Sequence, residues 1–169
     1  MRLSRVVTLL VLTVVLQVAV FPHIRLDGRV PDLGLIVAVA IAFDHGPEAG
    51  ALFGFFAGVG FDLFLETPLG LSGLAYALTA YTVGVLQGGV LRTPKWFTPV
   101  IGALSGLMCG LIFVGVGLLA GVEAVHGNQA FVTIVLTSAY NALLAPFVFL
   151  VVGAWLRDPN ERIAGWGRR

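Results

Sequence analysis

Charged residues divide the chain into six uncharged, strongly apolar runs: 6–24, 33–43, 49–61, 67–91, 96–122 and 124–156. A helix that crosses a membrane needs about 20 apolar residues. The first, fourth, fifth and sixth runs meet this alone, whereas the second and third hold only 11 and 13 residues. Between those two stands Asp44-His45-Gly46-Pro47-Glu48, and Gly followed by Pro is a strong turn signal. The pattern therefore predicts two short helices joined by a tight turn, not one long helix. The second helix is only about 20 Å long at 1.5 Å per residue. Such a helix draws in Pro31 and Asp32, thins the bilayer beside it, or forms a re-entrant hairpin shielded by its neighbours. The reading is an all-α integral membrane protein, a six-helix transmembrane bundle. Its single domain covers 1–156, with spans at about 4–22, 32–44, 47–64, 69–91, 96–122 and 130–156, and a basic tail follows over 157–169.

Composition narrows the function classes. Of the 169 residues, 58% are hydrophobic and 11% charged, and the mean hydropathy is +0.98. A soluble domain carries about 25% charged residues, so this chain cannot cover a globule of its size with polar side chains, and a soluble enzyme is excluded. The 22 glycines and 11% aromatics exclude disorder, which requires a lack of apolar bulk. Arg2 and Arg5 precede an apolar run as in a secretory signal, but Val18-Ala19-Val20-Phe21-Pro22 offers no small-x-small cleavage site. An uncleaved first span is expected. The single cysteine, Cys109, cannot form an intramolecular disulfide and reads as a small buried apolar residue.

Charge placement sets the orientation. With six spans and the N-terminus inside, Arg2, Arg5, Arg92, Lys95, Arg157, Arg162, Arg168 and Arg169 are cytoplasmic, and only Arg25 and Arg29 lie outside. Positive charge in short loops marks the cytoplasmic side. A five-span chain with its N-terminus outside scores equally, but it must fuse runs two and three across Gly46-Pro47. Trp96 beside Lys95 and Trp155 before Arg157 place indoles at the cytoplasmic headgroup level. The tail either lies on the anionic inner leaflet or is solvated.

Within the runs, small residues recur at four-residue steps. Gly50, Gly54 and Gly58 lead to Asp62, and Gly102, Gly106 and Gly110 form a second series, with the pair Ala38/Ala42 beside them. This spacing puts them on one helix face, where missing side chains let another backbone come close. They serve packing within the protein or a groove for a partner's helix. Asp62 lies about 22 Å along its helix, near the outer boundary. An intramembrane carboxylate is a functional-site candidate, but at this depth a structural role is favoured: reaching the outer interface, capping the turn at Glu66-Thr67-Pro68, or bonding a neighbouring helix. Asp44, His45 and Glu48 are potential metal ligands without a metal-site spacing, and Glu48 suits the first turn of a helix. Tyr140-Asn141 and Pro146 are polar and helix-perturbing features of the last span: Asn141 can bond between helices, and Pro146 frees a carbonyl. No glycine-rich phosphate loop, Gly-x-Ser-x-Gly or His-Glu-x-x-His occurs. The expectation is a non-enzyme with no catalytic, cofactor or metal site.

The ordered marks resemble the rod-shape-determining protein MreD family: a basic N-terminus and first span, Pro31-Asp32-Leu33, Gly50 and Gly54-Phe55 through Gly58, Asp62-Leu63, Pro68-Leu69-Gly70, and Tyr140-Asn141 with Pro146. The resemblance covers essentially the whole chain. It implies a scaffold of the bacterial cell-elongation machinery in the inner membrane, multi-pass with both termini cytoplasmic. The implied partner is MreC, with links to MreB, RodA and a class B penicillin-binding protein, and no nucleic acid. It supports rod shape and lateral peptidoglycan synthesis. The implied bundle is similar to the substrate-binding subunits of energy-coupling-factor vitamin transporters, and such a subunit is the rival function. Docking surfaces would be the glycine faces and the cytoplasmic loops at Asp44, His45 and Glu48 and at Arg92 and Lys95.

Overall fold

The computed structural model describes residues 3–23, 30–64, 68–89, 97–119, 121 and 128–156. Among these residues the chain is all-helical: α1 (Leu3–Ala19), a 3-10 turn (Phe21–His23), α2 (Leu33–His45), α3 (Pro47–Asp62), α4 (Leu71–Gly89), α5 (Thr98–Leu119) and α6 (Asn128–Leu156). The loop that holds Arg92 and Lys95, and the tail 157–169, lie outside the described residues. Two helices, Thr98–Leu119 and Ala130–Leu156, are long and apolar enough to cross a membrane by length and composition.

The shortest long element is the centre of the bundle. Every residue of α2 from Leu33 to Ala42 is buried. It touches all five other helices, and α3 and α4 pack most extensively on one another beside it. α2 stops at Gly46, whose φ of 96° is open to glycine and costly for other residues. The Gly46 N–H donates to the Ala42 carbonyl, and Pro47 then opens α3 with its fixed φ and no N–H to leave unpaired. The chain reverses within one residue, so α3 runs straight back along α2.

Glycine makes that reversal close. A Cβ on Gly50 would collide with Ala42, and one on Gly54 would stand 3.1 Å from the Tyr76 carbonyl and 3.2 Å from the Ala38 Cβ. A Cβ on Gly58 would strike the Gly73 backbone of α4, and one on Gly84 would lie 2.6 Å from the Pro47 Cα. The second series works the same way between α5 and α6. Gly102 faces Asn141 and Ala145, Gly106 faces Ser138, and Gly110 faces Ile134. Both series therefore act as packing faces inside this chain. Backbones that approach this closely gain many small dispersion contacts along the whole length of a helix pair.

The bundle has two heights. α2 begins beside Gln17, near the end of α1, and beside Asn141, near the middle of α6. Beyond that level α1 extends only about 5 Å, whereas α5 and α6 each continue for about 20 Å. The α5–α6 hairpin therefore stands above the block formed by α1 to α4.

Two glycine substitutions separate these effects. Gly58→Ala should destabilise the bundle by about 1–3 kcal/mol, because backbone must move to admit the methyl group. Gly115→Ala, with nothing within 4 Å of its Cβ position near the end of α5, should be neutral or stabilise by up to about 1 kcal/mol. Thermal or denaturant unfolding of the purified variants reads both.

Candidate functional site

A helix that starts inside a bundle must find partners for the N–H groups of its first turn. At α2 they come from three directions. The Leu33 N–H donates to Gln17 Oε1 of α1 at 2.8 Å, while Gln17 Nε2 returns a bond to the Pro31 carbonyl at 3.1 Å. The Asp32 N–H donates to Asn141 Oδ1 of α6 at 2.9 Å. The Leu35 N–H donates to Asp32 Oδ1 at 3.3 Å, an N-cap in the ordinary sense. The Tyr76 hydroxyl of α4 donates to the same carboxylate. One junction thus ties α1, α4 and α6 to the first turn of α2.

Further buried hydroxyls lie on α4, α5 and α6. The Thr79 hydroxyl donates to the Ala75 carbonyl at 2.8 Å and lies beside the Cys109 thiol. Ser105 and Ser138 donate to the carbonyls of Ile101 and Ile134, each one turn back on its own helix, at 2.5 and 2.6 Å. These hydroxyls are committed to main-chain carbonyls. Asn141 is 0% exposed, and its Nδ2 has no hydrogen-bond partner among the described residues. That nitrogen lies 3.1 Å from where a Gly106 Cβ would sit, so Gly106 makes room for the amide as well as for the α6 backbone.

Asp62 forms a separate cap. It is 2% exposed, and its Oδ2 accepts from the Gly70 N–H at 2.8 Å and the Ser72 N–H at 3.1 Å. The acceptors at the start of α4 are thus supplied from the end of α3. A carboxylate is favoured there, because the N-terminal end of a helix carries partial positive charge. The cap falls just beyond the Glu66-Thr67-Pro68 turn where the spacing places it.

The other candidates lie apart. Asp44, His45 and Glu48 are exposed at the α2–α3 turn, with Asp44 beside Gly153 of α6. Among the described residues no group of three His, Cys, Asp or Glu could hold a metal ion. Tyr140 is half-buried one residue before the junction, and α6 continues through Pro146. Gln17 and Tyr76 escaped the sequence reading. Gln17 carried a usable signal, as the lone amide in an apolar run that has no need of one. Tyr76 gave none, since its role depends on Asp32 being within reach.

The comparisons with known proteins rest on this whole helical body. A family model described as rod shape-determining protein MreD matches residues 1–156. The chain belongs to the MreD family. No curated protein and no solved structure matches it closely enough to count as similar. Membership gives the chain a role in rod-shape determination, within a family of shape-determining proteins. The matched range ends at Leu156, the last residue of α6.

Asp62→Ala, which strands two N–H groups, should destabilise the MreD-family chain by about 1–3 kcal/mol. Asp62→Asn, which keeps an acceptor oxygen, should lose clearly less. Unfolding midpoints of the two variants in one detergent give the comparison.

Proposed function

We propose that this MreD-family chain is a non-enzymatic scaffold of the cell-elongation machinery, embedded in the bacterial inner membrane. The match over residues 1–156 carries the reading, because it spans all six helices. The outer faces support membrane embedding: Val11, Leu52, Phe56, Leu78, Leu111, Leu143 and Leu150 are all exposed, and they come from α1, α3, α4, α5 and α6. Large apolar side chains at this density on the outside suit lipid or protein contact rather than water. α2 is too short to span a core of about 30 Å alone, but it is enclosed on all sides, so its ends need no lipid contact.

Both termini face the cytoplasm in this reading, with eight of the ten basic residues. The protein binds MreC, and through it supports lateral peptidoglycan synthesis alongside MreB, RodA and a class B penicillin-binding protein. Since the glycine faces are filled by the chain's own helices, the partner contacts fall to the outward faces and to the cytoplasmic turns around Asp44–Glu48 and Arg92–Lys95.

Three experiments test this. In a Cys109→Ala background, Asp44→Cys should resist a membrane-impermeant thiol reagent in intact cells and react after permeabilisation. Glu123→Cys, between the fifth and sixth apolar runs and on the outer side in this reading, should react in intact cells, and the reverse pattern would invert the topology. Depletion of the protein should turn rods into spheres, and mild solubilisation should recover MreC. Unchanged rods, or recovery of a bound vitamin with a coupling ATPase, would overturn the scaffold reading.

A further inference from the structure

The α2–α3, α3–α4 and α5–α6 pairs are locked by main chain against main chain, at Gly50, Gly58, Gly102 and Gly106. α1 is joined differently. It leans mainly on α3, less on α2 and slightly on α6. Of its 17 residues three are buried, Leu9, Thr13 and Gln17, a single stripe at four-residue steps. Leu9 alone among them is apolar. By contrast α2 buries ten of its 13 residues, and α3 six of 16. Gly60 of α3 offers α1 a close approach that α1 does not take. A Cβ there would meet only the Val14 methyl groups, at 3.1 and 3.7 Å, with no α1 backbone within 4 Å. What α1 has instead is Gln17, which accepts from the Leu33 N–H and donates to the Pro31 carbonyl. At its other end the Trp155 indole N–H reaches the Arg5 carbonyl over a long 3.4 Å.

We propose that α1 is a releasable strap: it leaves its seat on α2 and α3 as one helix while α2 to α6 stay packed, and Gln17 is its latch. Segments with few buried contacts open at lower free energy than the body of a protein. Helix pairs also gain most where small residues let backbones meet, and α1 has no such contact with α3 at Gly60. Parting α1 therefore gives up little packing beyond Leu9 and Val14. It does strand both bonds of Gln17, and an unpaired N–H or carbonyl away from water is costly, so the amide sets most of the threshold. Release uncovers the Leu33 N–H, the Pro31 carbonyl and the α3 face around Gly60, all of which α1 covers when seated. The glycine-locked pairs have no comparable route, because their separation would undo contacts along a whole helix.

The test uses the full chain in a mild detergent, in a Cys109→Ala background, with N-ethylmaleimide as the probe. Thr13→Cys on α1 and Ala57→Cys on α3 replace residues that are both 2% exposed. Leu12→Cys and Phe56→Cys, at their exposed neighbours, give the rate at the same depth without burial. Protection is the ratio of the exposed to the buried rate. It should be smaller at Thr13 than at Ala57 by about tenfold or more. Gln17→Leu should lower protection at Thr13 by a further factor of about five or more and leave that at Ala57 unchanged. If Ala57→Cys does not fold, Ala75→Cys with Leu74→Cys on α4 takes its place. Equal protection on α1 and on the block would overturn the proposal. A Gln17→Leu effect of the same size at both sites would overturn it too, since the bundle then opens as a whole. No effect at Thr13 would overturn Gln17 as the latch.

Discussion

The start of α2 constrains everything around it. A helix beginning amid apolar side chains exposes N–H groups that water cannot reach, and each one left unpaired costs about 1–3 kcal/mol. Gln17, Asp32 and Asn141 remove that cost by presenting oxygens to Leu33, Leu35 and Asp32. These acceptors sit on different helices, so satisfying α2 also fixes where α1 and α6 lie. Tyr76 adds α4 through the Asp32 carboxylate. Polar groups with this arrangement specify one assembly among many that would bury similar apolar area.

The glycine faces then set how tightly the helices close on that centre. α2, α3 and α4 meet through Ala38, Ala42, Gly50, Gly54, Gly58 and Gly73, where main chain touches main chain. Side-chain interdigitation alone would keep the axes further apart. Tight approach puts Tyr76 within reach of Asp32, and on the other side it puts Asn141 against Gly106. The polar junction and the small-residue faces thus depend on each other. Asp62 repeats the same solution at the α3–α4 crossover, where one carboxylate holds the first N–H groups of α4.

Much of the helical layout was legible along the chain. The six apolar runs correspond to six helices, and the Gly46-Pro47 turn separates two short ones. The four-residue glycine spacing marked faces of close approach, though not what would approach them. Asn141 was legible as a residue able to bond between helices, because an amide among leucines has few other uses. Its partner was not legible, since the Asp32 N–H is 109 residues away. Gln17 was overlooked because the first run reads as a simple span or signal, and Tyr76 because an isolated tyrosine in an apolar run says nothing about its neighbours.

By itself the sequence determined the number of helices, their lengths and the faces that carry glycine or polar groups. Those properties follow from local chemistry: runs without charge, turn residues, and a 3.6-residue period. It also carried the family, through motifs spread over the whole helical body. Only the tertiary structure decided that the shortest helix is the centre and that the glycine faces are spent inside the chain. The reason is that helix order in space comes from pairing between distant residues. An N–H at the start of α2 is satisfied by whichever oxygen folding brings to it, and nothing in its neighbouring residues names that oxygen.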